Sequence, residues 1–308
     1  MSKKALIVGI NQFAGGINPL RGCVNDTVEM HGLLKDYFRF QDKDIKVLCD
    51  NDATNQGIRK GLDWLLSEYE GSGKDVRVFH FSSHGTQVDD QDEGDEWECL
   101  DEVIVPHDHD WNKPFRDDDL REIFDKIPKG VNFTFIADCC HSGSIQKALR
   151  DSGLKFEPRF LTPPKEILEN IERRRAKRNA EVDKWAAAQL TQMLKDVPPD
   201  QLQQKIEEYL ALLRKRFKEN KYAVVSVERH VLLAACEDRQ TAADAYIDGD
   251  YRGAFTWALS KAIKDANGNL TYDKLITHAG ASLRDYEQKP QLECPSDMCK
   301  QKIFEPLA

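Results

Sequence analysis

Apolar and polar residues follow one another along the chain in a pattern that predicts strands separated by helices. Four short apolar runs are typical of strands: residues 4–10, 45–48, 76–81 and 103–105. Apolar residues at helical spacing fill two of the segments between them, 25–37 and 53–69. Because strands and helices alternate, the pattern predicts a parallel sheet with right-handed crossovers.

The same alternation continues on both sides of a charged middle segment. Apolar runs at 132–137 and 231–235 are typical of buried strands. Helices are predicted at 116–126, 253–263 and 272–286. These elements extend the predicted α/β sheet to the end of the chain.

The middle segment differs in character from the rest. It contains a charged helix at 165–195, a break at Pro198-Pro199, and a second helix at 200–220 with an apolar stripe. We interpret residues 153–223 as an inserted helical hairpin linker. Its apolar stripe predicts that the hairpin packs on another surface.

Two of the predicted strands end in reactive side chains. The strand at 132–137 is followed by Asp138-Cys139-Cys140-His141-Ser142-Gly143, and the strand at 76–81 by Ser82-Ser83-His84-Gly85. Because open α/β sheets bind ligands at the carboxyl ends of their strands, a cysteine and a histidine are expected at one edge.

Composition narrows the classes of function. The chain has 308 residues, a net charge of −9, 40% apolar and 31% charged residues. The negative charge argues against nucleic-acid binding, and no apolar run is long enough to cross a membrane. The eight cysteines are scattered, which indicates mostly reduced thiols in a cytoplasmic protein.

The two strand ends resemble those of the metacaspases, which are caspase-like cysteine peptidases. Further segments fit the same family in the same order: 20–26, 100–106, 252–256 and 288–292. The resemblance implies a caspase-like α/β fold, with a mostly parallel central sheet flanked by helices. It divides the chain into a large catalytic part (1–152), the helical linker (153–223) and a small part (224–308) that completes the same sheet.

The resemblance implies a catalytic pair of Cys140 and His84, with the amides of Gly85 and Cys140 as the oxyanion hole. A thiol attacks only as thiolate, and a nearby imidazole can take its proton. An isolated cysteine would more often be a buried structural thiol, but both motifs are present here. Strand alternation allows only one of Cys139 and Cys140 to face the cleft, and the motif position before His141 selects Cys140.

The substrate pocket implied by the resemblance is lined by Cys23, Asp26, Ser82 and Asp138. Two carboxylates suit a guanidinium or ammonium group, so the expected substrates are proteins or peptides cleaved after Arg or Lys. Asp26 could instead cap a helix, which is a common role for Asp after a loop.

Calcium is a possible cofactor that the sequence leaves open. Family members activated by calcium hold the ion with carboxylates that match Asp101, Asp117 and Asp118. The fourth position is Lys147, an ammonium group where an oxygen ligand is needed. Asp117 and Asp118 could instead be favourable negative charges at a helix N-terminus.

A basic cluster in the linker predicts self-cleavage. Five residues precede candidate bonds: Arg173, Arg174, Arg175, Lys177 and Arg178. A solvated helix face is the alternative.

We expect a monomeric endopeptidase made as an autoinhibited zymogen. A non-catalytic caspase-like scaffold, or another cysteine hydrolase without basic preference, are the rival functions.

Overall fold

The computed structural model describes residues 2–70, 74–89, 100–141, 156–195, 198, 201, 205, 207–208, 230–237, 240–286 and 288–307. The chain divides into two compact units. The first comprises Met1–Thr86, Glu102–Thr162 and Val225–Ala308, and the second comprises Gln87–Asp101 and Pro163–Val224.

A six-stranded sheet lies at the centre of the first unit. Its order is β12-β9-β7-β3-β1-β2, with β1 (Lys3–Gly9), β2 (Ile45–Cys49), β3 (Val76–Ser82), β7 (Asn132–Asp138), β9 (Val231–Ala234) and β12 (Gln291–Glu293). Neighbouring strands are parallel, except for the antiparallel pair of β9 and β12. This arrangement confirms the predicted α/β fold with a mostly parallel sheet.

Strands β1, β3 and β7 are buried along their whole length, which explains their nearly continuous apolar sequences. The described residues contain six helices: α1 (Cys23–Phe38), α2 (Asn55–Leu65), α3 (Asp117–Phe124), α4 (Lys165–Leu194), α5 (Ala254–Asp265) and α6 (Tyr272–Ser282). Of these, α1 and α2 pack against this sheet, and α4 belongs to the second unit. Met30 and Leu34 of α1 and Phe255 and Leu259 of α5 are buried in one apolar cluster with residues of the sheet. None of the described helices is long and apolar enough to cross a membrane.

Two smaller sheets complete the described strands. One has the order β11-β10-β8, with β8 (Phe156–Pro158), β10 (Ala243–Ile247) and β11 (Asp250–Gly253). The other has the order β4-β5-β6, with β4 (Gly85–Asp89), β5 (Leu100–Ile104) and β6 (Phe115–Arg116).

Strands β10 and β11 form a hairpin that sequence reasoning missed. Asp248 and Gly249 connect them, both with positive φ (52° and 90°), as a tight two-residue hairpin turn requires. An Asp-Gly pair between apolar alternation is the ordinary signal for such a hairpin, so this element was predictable.

The linker boundary also differs from the prediction. Residues 156–162 belong to the first unit, because β8 pairs with β10 in register Ala243↔Pro158. In the second unit, the predicted helix at 165–195 is present as α4, whereas the predicted helix at 200–220 lies almost entirely outside the described residues. Arg174 of α4 forms an ion pair of 2.9 Å with Asp89.

Most described cysteines carry free thiols, but Cys294 and Cys299 form a disulfide. The prediction was of mostly reduced cysteines, and this pair is the exception among the described residues. The two residues lie five positions apart around a turn, which brings their Cα atoms to 5.7 Å.

Candidate active site

The ends of β3 and β7 bring the two predicted motifs together. The strands are parallel neighbours, and their last residues, Ser82 and Asp138, are partners in the register. The segments that carry His84 and Cys140 therefore leave the sheet side by side, at its carboxyl edge.

His84 is a buried, neutral base. Its Nε2 lies 2.9 Å from the Asn18 carbonyl oxygen. Because a carbonyl only accepts, Nε2 carries the proton and Nδ1 is the basic nitrogen. Nδ1 is buried without a hydrogen-bond partner among the described residues. Burial lowers the pKa of His84 to about 4, so the ring is uncharged at neutral pH. A main-chain carbonyl thus orients the imidazole, which side-chain motifs could not reveal.

The Cys140 thiol contacts a main-chain carbonyl group. Cys140 is buried, and its Sγ donates to the Gln240 carbonyl oxygen at 2.7 Å. A second thiol, Cys236, also contacts it. A hydrogen bond to Cys140, followed by burial, raises the pKa of the Cys236 thiol well above its usual range. Sequence reasoning did not single out Cys236.

Cys139 has different surroundings from Cys140. Its Sγ lies 3.6 Å from His141 Nε2. Burial raises the pKa of the Cys139 thiol well above its usual range. The two adjacent thiols therefore have different partners, as strand alternation requires.

The predicted oxyanion amides have a common acceptor. The amides of Gly85 and Cys140 lie 3.1 and 3.2 Å from the carbonyl oxygen of Arg159. A Cβ atom on Gly85 would lie 2.3 Å from the Cys140 carbonyl oxygen, so only glycine allows this approach. If these two amides form the oxyanion hole, the carbonyl group of Arg159 occupies the position that a substrate carbonyl would take.

The side chain of Arg159 fills the predicted acidic pocket. Its guanidinium is fully buried. Nη2 lies 2.8 Å from Asp26 and 2.9 Å from Asp244, and Nη1 lies 2.8 Å from Ser82 Oγ and 3.2 Å from Asp138. The structure therefore brings the predicted Asp26, Ser82 and Asp138 around one guanidinium group.

Cys23, the fourth predicted pocket residue, lies in the same charged environment. Burial raises the pKa of its thiol well above the usual range, against the lowering effect of Arg159. Burial likewise raises the pKa of Asp26 to about 7, again opposed by Arg159. Several buried carboxylates, Asp138 first, raise the pKa of Arg159 despite its own burial, so the guanidinium stays charged.

Two members of the pocket were absent from the sequence prediction, Asp244 and Arg159. Asp244 accepts hydrogen bonds from the amides of Arg21 and Gly22, at 2.8 and 3.0 Å. It stands alone among alanines in β10, and Arg159 lies between Pro158 and Phe160. For Asp244, the available signal was a single charge in an apolar strand, whereas Arg159 follows two other charged residues, Lys155 and Glu157.

The main chain around Arg159 is extended and paired on both sides. Its amide donates to the Ala242 carbonyl at 2.9 Å, continuing the pairing of β8 with β10. Beyond it, the Leu161 amide donates to the Gly85 carbonyl at 2.8 Å. The segment lies along a strand edge, in the manner of a peptide bound by strand addition.

Calcium binding by Asp101, Asp117 and Asp118 stays a prediction. Asp118 pairs with Arg121. Burial, and then Glu102, raise the pKa of Asp117 to about 7. Asp101 belongs to the second unit, and Lys147 lies outside the described residues. Within the described ranges, no group of three or more His, Cys, Asp or Glu side chains is placed to hold a metal ion.

The basic linker cluster lies on α4 in the second unit. The side chains of Arg173, Arg174 and Lys177 are exposed. Those of Arg175 and Arg178 lie outside the described side chains. Self-cleavage at these residues stays a prediction.

Comparison with known proteins agrees with this arrangement. Residues 2–301 match the family model of the caspase domain, Peptidase_C14. The chain is 32% identical to Metacaspase-1 of Scheffersomyces stipitis, covering 98% of this chain and 73% of that protein. It is 29% identical to Metacaspase-1B of Aspergillus oryzae, covering 98% and 70%.

Solved structures support the same fold. A Geobacter sulfurreducens protein superposes with a TM-score of 0.64 at 20% identity, over 100% of both chains. Caspase-1 from Spodoptera frugiperda superposes with a TM-score of 0.51 at 13% identity, over 95% of this chain and 86% of that one. The chain belongs to the caspase domain family and is a cysteine-type endopeptidase, which argues against the non-catalytic scaffold.

Proposed function

We propose that this member of the caspase domain family cleaves peptide bonds after Arg, and less readily after Lys, with Cys140 and His84 as its catalytic pair. We also propose that it is made as a zymogen whose own Arg159 occupies the substrate pocket. One observation carries both proposals. Arg159 has its guanidinium among three carboxylates and its carbonyl oxygen on the amides of Gly85 and Cys140.

Catalysis requires the Cys140 thiol to leave the Gln240 carbonyl and give its proton to His84 Nδ1. The thiolate then attacks the carbonyl carbon, and the two amides stabilise the oxyanion. The protonated His84 donates its proton to the leaving amine, so the peptide bond breaks and an acyl-enzyme remains. Water, deprotonated by His84, releases the acid product and restores the thiol.

Preference for Arg over Lys follows from the shape of the pocket. The carboxylates of Asp26 and Asp244 lie on one terminal nitrogen of the guanidinium, and Ser82 and Asp138 on the other. The planar guanidinium group of an Arg substrate can bond to both groups of oxygen atoms. The single ammonium group of Lys can bond well to only one of them. We expect about 10-fold lower kcat/KM for Lys than for Arg substrates.

Autoinhibition follows from the occupancy of the pocket. A substrate needs the place that Arg159 takes, and Arg159 is attached to the same chain, so it competes at an effective concentration of roughly millimolar. Because the Arg159 carbonyl is the one at the oxyanion amides, we propose that the first self-cleavage follows Arg159. The bonds after residues 173–178 are the second candidates.

The test is a cleavage profile on peptides that vary at the residue before the scissile bond. Wild type is compared with Cys140→Ala, His84→Ala and Cys139→Ala. We expect cleavage after Arg and Lys alone, abolished by the first two substitutions and largely retained in the third. Cleavage after acidic or apolar residues would overturn the specificity. Equal loss in folded Cys139 and Cys140 variants would overturn the choice of nucleophile.

A further inference from the structure

A buried histidine that the proposed chemistry does not use lies behind the acidic pocket. His80 is at the middle of β3, fully buried, and its Nε2 lies 3.0 Å from Thr256 Oγ1. Burial, with Arg159 adding to the effect, lowers the pKa of His80 to about 3. The ring is therefore neutral, and it is too deep to contact a substrate.

Thr256 connects this histidine to the pocket. It is buried in the first turn of α5, and its amide and hydroxyl both donate to Asp138 Oδ2, at 2.8 and 2.6 Å. The hydroxyl has a single proton, which is used in the bond to Asp138. The proton between Thr256 and His80 must therefore come from His80 Nε2. This fixes the tautomer of His80, and its Nδ1 has no hydrogen-bond partner in the described part of the chain.

The two oxygens of Asp138 are consequently unequal. Oδ2 is tied to Thr256 by two hydrogen bonds, at the N-terminus of a helix of 12 residues, where negative charge is favoured. Oδ1 accepts no hydrogen bond from the described residues and lies 3.2 Å from Arg159 Nη1. One oxygen anchors the carboxylate, and the other is directed at the guanidinium.

We infer that Thr256 and His80 are positioning residues of the specificity pocket. His80 orients the Thr256 hydroxyl, and Thr256 holds the Asp138 carboxylate with one oxygen facing the basic side chain of the substrate. The inference rests on the proposed function, because it assumes that this pocket binds a basic side chain. Its importance grows when Arg159 leaves the pocket, since Thr256 is then the chief partner of a buried carboxylate.

The competing explanation is that the two residues only satisfy each other in the core. The two explanations differ in one measurable quantity, the preference for Arg over citrulline, its uncharged isostere. Loss of packing lowers the hydrolysis of both peptides equally. Loss of carboxylate positioning lowers the hydrolysis of the Arg peptide alone.

The experiment compares kcat/KM for matched Arg and citrulline peptides, using the full chain after activation. Thr256→Val keeps the shape and removes the hydroxyl, and Thr256→Ser restores it. His80→Phe removes the ring donor, and His80→Gln keeps a donor near the position of Nε2. Thr134→Val is the matched control, because Thr134 is also buried in the sheet but bonds to Tyr272, away from the pocket. Thermal unfolding and alkylation of Cys140 by iodoacetamide verify the fold of each variant.

We expect Thr256→Val to lower kcat/KM for the Arg peptide by about 10- to 100-fold, mainly through KM, and to change the citrulline value less than about 3-fold. His80→Phe should give a smaller loss of the same kind. The Ser and Gln variants should restore most of the preference, and Thr134→Val should leave it unchanged.

Equal losses for the two peptides, or an unchanged preference in folded Thr256→Val, would overturn the inference. If Thr256→Val does not fold, His80→Phe and His80→Gln decide by the same ratio. A wild-type enzyme that does not prefer Arg over citrulline would instead contradict the proposed function. The failures of the two proposals are therefore distinguishable.

Discussion

Two acidic regions of the first unit look alike in the sequence and differ in the structure. In the proposed substrate pocket, Asp138 and Asp244 each accept hydrogen bonds from main-chain amides, and both carboxylates face the guanidinium of Arg159. At the start of α3, Asp118 pairs with Arg121, and Asp117 lies near Glu102, which adds to the effect of burial on its pKa. Acidic residues alone do not make a binding site. The donors that orient them decide whether their free oxygens converge on one ligand.

The largest expected effect separates these two regions directly. Asp138→Asn removes the carboxylate that, in the proposed pocket, faces the basic side chain of the substrate, and we expect this to cost about 2–5 kcal/mol and to lower kcat/KM for Arg peptides by about 100-fold or more. Asp118→Asn, measured without calcium, should change it less than about 3-fold, because a partly exposed ion pair contributes little. Steady-state kinetics on both variants checks the comparison. Equal losses would show that the pocket carboxylate has no special role.

The close packing of Gly253 against the proposed pocket gives a second test of the difference between the two acidic regions. A Cβ atom on Gly253 would lie 2.3 Å from Asp138 Oδ2 and 2.4 Å from Arg159 Nη1. Gly253→Ala should therefore lower kcat/KM for Arg peptides by at least about 10-fold, while Cys140 still reacts with iodoacetamide. Gly32→Ala is the control, since a Cβ there meets nothing within 4 Å. Normal hydrolysis of Arg peptides by a folded Gly253→Ala would place the basic side chain elsewhere.

The pH dependence of stability provides a third test. The pKa of Asp26 is raised from 3.8 to about 7, mainly by burial. A raised pKa contributes stability that is fully present below about pH 4 and is lost as the pH rises through about 7. Asp26→Asn does not ionise, so its Tm relative to the parent should increase between pH 4 and pH 8. Both proteins carry Cys140→Ala to prevent self-cleavage. A difference in Tm that is constant across this range would contradict the raised pKa.

Calcium should have the smallest effect. The family resemblance implies a carboxylate at position 147, where this chain has Lys, and Asp118 already has a cationic partner. We expect calcium at about millimolar concentration to change the activity less than about 3-fold, and Lys147→Asp to strengthen the response. Calorimetry checks the affinity. Tight binding by the unsubstituted protein would contradict our interpretation of Lys147.

The features of the fold and of the site that depend on local sequence pattern could be predicted from the sequence. The apolar runs of β1, β3 and β7 identified the sheet, and the residues at the strand ends identified His84 and Cys140 as neighbours. Asp26, Ser82 and Asp138 followed from a family resemblance, and the structure brings them together.

The rest depends on contacts distant in the chain. Arg159 follows Lys155 and Glu157 in an alternating segment that has no excess of positive charge, and its partners Asp26 and Asp138 lie 133 and 21 residues away. The cluster at 173–178 attracted attention through its density of charge. The local density of positive charge does not decide which basic side chain is buried. A buried guanidinium group needs carboxylates that are already held in place by other contacts. The Asn18 carbonyl that orients His84 carries no side-chain signal at all.

The most direct test of the central claim is the identity of the first self-cleavage product. Active full-length protein is incubated, and its fragments are sequenced from their N-termini, beside Cys140→Ala and Arg159→Gln. We predict a fragment that begins at Phe160 and is absent from both variants. We also predict that the wild type shows a lag before it hydrolyses Arg peptides and that Arg159→Gln shows none. Fragments beginning only within 174–179, together with an unchanged lag in Arg159→Gln, would contradict the claim that Arg159 blocks and presents the first bond.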